Sequence, residues 1–325
     1  MARSDLLLSL VKSGVSGNQN LFRRTVEAIV AEERAKNHAV LADRLEEQLK
    51  RNGQPAGNGQ PIGIGPVAHD LFYEVAPERT LDDLVLPEQV RTACLELVEE
   101  YHRADLLRSH NLAPRHRVLL AGPPGNGKTS LAESLSNALM VPLVGVRYDG
   151  LIASYLGETA SRLRKVFDYV RTRRCVLFFD EFDTLGKERG DRHETGEIKR
   201  VVSSLLLQID SLPSHVVVVT ATNHPELLDR AVWRRFQLRL ELPAPTEAEV
   251  QEYLRRAETR TGVSFGMSPK TLADKLRGLS FAELEEFTAD VFRRYVLALP
   301  AADVKDIVAR RLKQWQDRFT ASPSD

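Results

Sequence analysis

One stretch constrains this chain more than any other: Gly122-Pro123-Pro124-Gly125-Asn126-Gly127-Lys128-Thr129, followed by Ser130. An apolar run at 118–121 leads into it, and a helix-forming segment at 130–139 leads out. The spacing G-x-x-x-x-G-K-[ST] between a strand and a helix has a specific physical use. Successive backbone N–H groups and the helix N-terminus make a concavity for anions. Glycines let the main chain close around phosphates with no Cβ in the way. In such a loop Lys128 reaches the β- and γ-phosphates, and the Thr129 hydroxyl ligates Mg²⁺. A chain carrying this loop is expected to build an α/β sheet around it.

The flanking pattern agrees. Apolar runs at 118–121, 142–146, 176–179, 216–220 and 238–242 have strand length and are nearly continuous in apolarity, as strands covered on both faces are. Helical stretches at 130–139, 158–172 and 196–209 separate them. The expectation is an α/β fold: a five-stranded parallel sheet covered by helices. After Pro245 the pattern becomes helical, near 247–261, 269–277, 281–299 and 304–319. In the last, Val304, Ile307, Val308, Leu312, Trp315 and Phe319 form one stripe. A small α-helical lid is expected there.

The chain before the sheet divides in two. Residues 1–51 read as helical, with Phe22, Val26, Ile29 and Val30 on one face and a charged middle, Glu32 to Lys36. They suit an interaction module or a solvated helix capping the next domain. Residues 52–66 are rich in Gly, Pro, Asn and Gln and read as a flexible linker. The domain expectation is therefore a helical module at 1–51, a linker at 52–66, an α/β domain at 67–243 and a lid with C-terminal helix at 244–325.

Charge narrows the partners. Lysine plus arginine number 45, aspartate plus glutamate 45, so bulk electrostatics will not drive the chain onto nucleic acid or an anionic membrane. Cys94 and Cys175 are too few for a disulfide framework or a cysteine zinc site. No run approaches the roughly 18–20 apolar residues of a membrane span. A reducing cytoplasm is the expected location.

Three further segments carry chemistry. Residues 175–179 read as a buried strand and end in Asp180-Glu181. Carboxylates at the C-terminal edge of a parallel strand stand where such sheets bind ligands. Asp180 is expected to hold Mg²⁺ through water, and Glu181 to polarise the attacking water. Asn223 ends the strand at 216–220 and is placed either to orient that water or to touch the γ-phosphate; in isolation it reads as a turn asparagine before His224-Pro225. Arg234 and Arg235 follow a short helix. By spacing alone they are a solvated basic pair, though such arginines also suit a finger reaching a neighbour's γ-phosphate.

Taken together, residues 80–289 resemble the AAA family of P-loop ATPases, in the subgroup of the AAA-protease ATPase modules, katanin and spastin. Residues 122–129 are similar to its Walker A motif, 176–181 to Walker B, Asn223 to sensor 1, and 228–236 to the second region of homology. The resemblance implies ATP with Mg²⁺, arginine fingers at Arg234 and Arg235, and nucleotide contacts from Ser130 and from Asp83, in the segment that closes over adenine. Leu279 to Leu284 resembles the lid motif in which this subgroup has alanine instead of a sensor-2 arginine. Tyr155-Leu156-Gly157 sits where the family has its first pore loop, residues 186–197 resemble the second, and Asp210 matches an intersubunit relay. Without the resemblance, Tyr155 would read as a surface-packed ring.

The chain departs from the family in two places. Arg234 and Arg235 are contiguous where Pro-Gly usually separates them, and Leu86-Pro87 replace a glycine pair after the adenine segment. The family reading implies a homo-oligomeric, hexameric ring that hydrolyses ATP to move a protein substrate through its pore. The overall layout is also similar to bacterial stand-alone ATPases paired with subtilisin-like serine proteases in toxin–antitoxin maintenance or phage defence. No H-E-x-x-H, Gly-x-Ser-x-Gly or cysteine–histidine cluster occurs, so any proteolysis belongs to another chain. Two alternatives stand beside threading: an ATP-gated protein that sequesters a partner, and a nucleic-acid motor or loader, which neutral charge disfavours.

Overall fold

A computed structural model describes residues 71–147, 156–183 and 195–321. The chain divides into two units, residues 1–62 and 63–325, and all described residues lie in the second. The N-terminal helices, the linker and Tyr155 lie outside the described residues.

Among the described residues six strands form one sheet: β1 (Phe72–Val75), β2 (Arg117–Ala121), β3 (Leu143–Val146), β4 (Cys175–Phe179), β5 (Val216–Thr222) and β6 (Leu238–Glu241). Their order is β1-β3-β4-β5-β2-β6. The five expected strands pair in parallel, β3 to β4, β4 to β5, and β2 to both β5 and β6. The expected count of five is corrected by β1, which adds an antiparallel edge on β3. This edge exists because Tyr73 lies opposite Gly145, and a Cβ there would stand 2.2 Å from the tyrosine ring. Phe72 supplies the anchor, buried and 4.5 Å from the Tyr169 ring.

Period-two alternation sorts the strand residues onto two cores. Leu119, Leu177, Phe179 and Val218 face one side, packed with Leu163, Val166, Phe167 and Val170 of helix Leu156–Arg171. Those four positions recur at i, i+3, i+4 and i+7, one helical face. Val118, Leu120, Val176, Phe178, Val217 and Val219 face the other side, under Leu131 and Leu135 of helix Lys128–Ala138. Cys94 and Leu97 of helix Glu88–His102 pack there too. Truncating any one of these buried leucines to alanine costs about 2–5 kcal/mol.

The lid has its own core. Helices Glu247–Thr261, Pro269–Lys275, Phe281–Leu297 and Val304–Ala321 gather Leu254, Leu272, Leu284, Phe287, Val308 and Trp315. Two starts are fixed by capping boxes, Thr246 with Glu249 and Ser280 with Glu283. Gly262, at φ +69°, ends the first helix. The second box has a further effect, because Ser280 and Ala282 rest on the glycine-rich loop. Among the described residues no helix is long and apolar enough to cross a membrane.

Candidate active site

In this order β2 is the switch point: the chain leaves it toward β3, β4 and β5 on one side and returns to β6 on the other. Ligands of such sheets bind outside the carboxyl ends of the strands at that point. The glycine-rich loop follows β2, Asp180 and Glu181 follow β4, and Asn223 follows β5. Topology alone therefore gathers three segments at one edge. A cleft of about 1150 Å³ opens there, lined by Pro124, Gly125, Asn126, Gly127, Lys128, Thr129, Ser130, Asp180, Glu181 and Asn223.

The loop is held in shape before any ligand arrives. Lys128 Nζ donates to the carbonyls of Gly122 at 2.7 Å and Pro123 at 2.9 Å. These two residues sit behind the cleft and orient the lysine rather than line it. Burial pushes the Lys128 ammonium down from its ordinary range, and the carboxylates of Asp180 and Asp183 oppose that shift. Gly127, at φ +84°, caps helix Lys128–Ala138, and nothing lies within 4 Å of where its Cβ would be. Gly125, at φ +76°, is tight instead: a Cβ would stand 2.7 Å from Ser280 Oγ of the lid. Its carbonyl accepts the Ala282 N–H at 2.9 Å, fastening lid to loop.

Asn126 is only 3% exposed, yet its Oδ1 has no hydrogen-bond partner among the described residues. A buried orphan acceptor is costly unless a ligand or water answers it. The open space over Gly127 leaves room for an anion at the helix N-terminus, while the Asn126 oxygen calls for a donor such as water.

The link between Thr129 and Asp180 is equally direct. Thr129 Oγ1 donates to Asp180 Oδ2 at 2.7 Å, joining motifs 51 residues apart. A neutral hydroxyl beside an anionic carboxylate is the hard-oxygen set that Mg²⁺ takes when phosphates and water fill its other positions. Glu181 is exposed and adopts φ +46°, a left-handed conformation unusual for a side-chain-bearing residue. Its N–H donates to Asp180 Oδ1 at 2.9 Å, so the turn that strains Glu181 also presents it over the cleft.

One residue of this edge escaped the sequence reading. Asp183, 2% exposed, accepts from Thr222 Oγ1 at 3.0 Å and from the Asn223 N–H at 3.4 Å. With the Phe182 N–H on the Ala221 carbonyl at 2.8 Å, it ties the end of β4 to the end of β5 and fixes Asn223 beside Glu181. The repeat Asp180-Glu181-Phe182-Asp183 was the available signal.

Asp83 also lines the cleft, but its carboxylate is engaged in a capping box with Thr80. Those hydrogen bonds hold it below the usual carboxylate range. Leu156 and Gly157 open helix Leu156–Arg171, whereas Tyr155 and residues 186–194 lie outside the described residues.

The arginine pair is elsewhere. Asp210, ending helix Thr195–Asp210, binds Arg117 Nη1 at 2.5 Å and Arg235 Nη1 through its other oxygen. Arg117 is the first residue of β2, so Arg235 is moored at the opposite end of that strand from the loop. At about 3.3 Å per residue, the strand alone separates them by roughly 13 Å. Arg234, at the end of helix Arg230–Trp233, is exposed and makes no ion pair or side-chain hydrogen bond among the described residues.

Comparison with known proteins places this geometry. Residues 118–244 match the family described as ATPase family associated with various cellular activities (AAA). An AAA family ATPase of Sinorhizobium fredii, y4kL, is 38% identical over 324 residues, covering 98% of this chain and 93% of that protein. The 26S proteasome regulatory subunit 8 homologue of Encephalitozoon cuniculi is 30% identical over 233 residues, covering 69% of this chain and 59% of its own length. The ATP-dependent zinc metalloprotease FtsH 1 of Salinibacter ruber is 31% identical over 237 residues, covering 70% of this chain and 34% of its own.

Proposed function

The chain belongs to the AAA family of ATPases, and from that premise we propose that it is a Mg²⁺-dependent, ring-forming ATPase that remodels a protein partner. The observation that carries the reading is the Thr129–Asp180 hydrogen bond, which makes one metal-binding pair of the two hydrolytic motifs. Thr129 and Asp180 would hold Mg²⁺, which would supply charge neutralisation at the phosphates. Lys128 turns from the loop carbonyls to the phosphates. Glu181 takes a proton from the attacking water, and Asn223, fixed by Asp183, orients that water against the γ-phosphate.

A cation at the transferred phosphoryl is the missing part. Arg234 supplies it to the neighbouring subunit, while Arg235 is the structural member of the pair, moored by Asp210. Arg235 is moored at the far end of β2 from the loop and Arg234 is next to it in sequence, which favours action in trans. Closure of such head-to-tail contacts gives a ring, and a hexamer is the number that the family resemblance implies. Tyr155-Leu156-Gly157 would line its pore and grip an extended polypeptide through sequence-tolerant aromatic contact. The named relatives, a proteasome regulatory homologue and a metalloprotease, are consistent with a protein substrate. A subtilisin-like serine protease as partner, in toxin–antitoxin maintenance or phage defence, rests on chain layout.

The test is Glu181→Gln, purified with ATP. The reading expects a stable ring that holds ATP and captures a protein, with capture lost in Tyr155→Ala while ATP hydrolysis in the otherwise native chain continues. A variant that binds ATP, stays monomeric and captures nothing would overturn it.

A further inference from the structure

The cleft has a residue that neither the loop motif nor the family match assigns. Residues 77–79 run along helix Lys128–Ala138 and are strapped to one of its faces. The Pro77 carbonyl accepts from Asn137 Nδ2 at 3.0 Å, and the N–H groups of Glu78 and Arg79 reach Glu133 Oε1 at 3.3 and 3.4 Å. The strap ends with Arg79 Nη1 donating to Ser130 Oγ at 2.6 Å. Positions 130, 133 and 137 share a helix face, so the arrangement follows from helical spacing.

The bond to Ser130 uses one of five guanidinium donors and fixes the plane of the rest. Arg79 is half-buried and lines the cleft beside Gly125 to Thr129. It stands between two landmarks: Thr129 with Asp180 at the metal end, and the Thr80–Asp83 turn, one residue away, at the other. Of the other cations near that turn, Arg260 also lines the cleft and Arg91 pairs with Asp82. Arg256 donates to the carbonyls of Asp82 and Leu84 and to Glu252, and Arg255 also pairs with Glu252. The lid meets the loop through Ser280 and Ala282, which carry no charge.

We propose that Arg79 is a nucleotide-binding residue whose guanidinium, positioned by Ser130, takes the phosphate nearest the ribose. The proposal rests on the ATP-binding reading and adds to it a cation that ADP and ATP use alike. A fork-shaped donor fixed on one arm loses little entropy on binding and suits a phosphate's paired oxygens.

The experiment is titration of the full chain with fluorescent ADP and ATP analogues, alongside thermal unfolding of the nucleotide-free protein. Arg79→Ala is expected to raise both dissociation constants by the same factor, about tenfold or more, as loss of a charged hydrogen bond does. Arg79→Lys should recover part of that loss, and Ser130→Ala should show a smaller one. Dissociation constants within twofold of wild type in Arg79→Ala would overturn the proposal. So would a loss confined to ATP, or a loss of affinity that Arg79→Lys leaves unrelieved. Wild-type protein that takes up neither nucleotide would instead overturn the ATP-binding reading itself.

Discussion

The two ends of β2 are built on opposite plans. At its carboxyl end, the residues lining the cleft are tied within the chain: Lys128 to the loop carbonyls, Thr129 to Asp180, and the Asn223 N–H to Asp183. At its amino end, Asp210 moors Arg117 and Arg235, and beside them Arg234 projects with no side-chain partner among the described residues. The first end is preorganised for a ligand. The second presents an exposed cation with no side-chain partner among the described residues. On the proposed reading, a chain that spends one end on binding and displays the other divides its chemistry between copies.

Each variant below attacks that contrast, in order of expected effect. Arg234→Ala should lower ATP turnover by about 10³–10⁵-fold, the worth of an arginine acting in trans, while nucleotide affinity stays near wild type. A tenfold loss of affinity would place Arg234 at its own subunit's phosphates and break the contrast from one side. Glu181→Gln should lower turnover by about 10²–10⁴-fold with ATP still bound, measured by phosphate release and by retention of labelled ATP. Asp210→Asn removes the mooring but no group that touches phosphate. Turnover should fall by about tenfold, in kcat and not in the affinity for ATP, since a misplaced finger weakens the transition state alone. Equal losses in Asp210→Asn and Arg235→Ala would sharpen the assignment of that pair as one structural unit.

The smallest effect concerns the cysteines. Cys94 and Cys175, 0% and 1% exposed, have thiols pushed up to about 12 by burial. Neither should react with a thiol reagent at pH 8 in the native chain, and both should react once it is unfolded. Rapid labelling of the folded protein would mean that the cores on the two sides of the sheet open far more readily than their packing implies.

Sequence legibility followed the same division. The strands from β2 to β5 were readable because both faces are covered, which leaves unbroken apolar runs such as residues 216–219. β1 was not, since Phe-Tyr-Glu-Val is short and only Phe72 is buried; its place depends on Gly145, a residue far along the chain. Helix Glu88–His102 was missed as well, because its buried stripe is only Val90, Cys94 and Leu97 amid charged neighbours. At the site, the loop and Asp180 announce themselves through spacing. Asp183 and Arg79 act through partners distant in sequence, Thr222 and Ser130; the acidic run from Asp180 hints at the first, and no local pattern marks the second. The contiguity of Arg234 and Arg235 leaves their roles open in the sequence; Asp210 distinguishes them by binding Arg235 alone of the two.

Mixing two inactive variants tests the central claim most directly. Glu181→Gln keeps its arginines but has no base; Arg234→Ala keeps its base but offers its neighbour no finger. Co-expressed at equal levels, they should regain ATP turnover, since in a randomly mixed ring about one quarter of the interfaces join an intact site to an intact arginine. Turnover at about a quarter of the wild-type rate is the result expected. Turnover no higher than the mean of the two separate variants would contradict the account, because it would mean that each subunit's arginine serves only its own site.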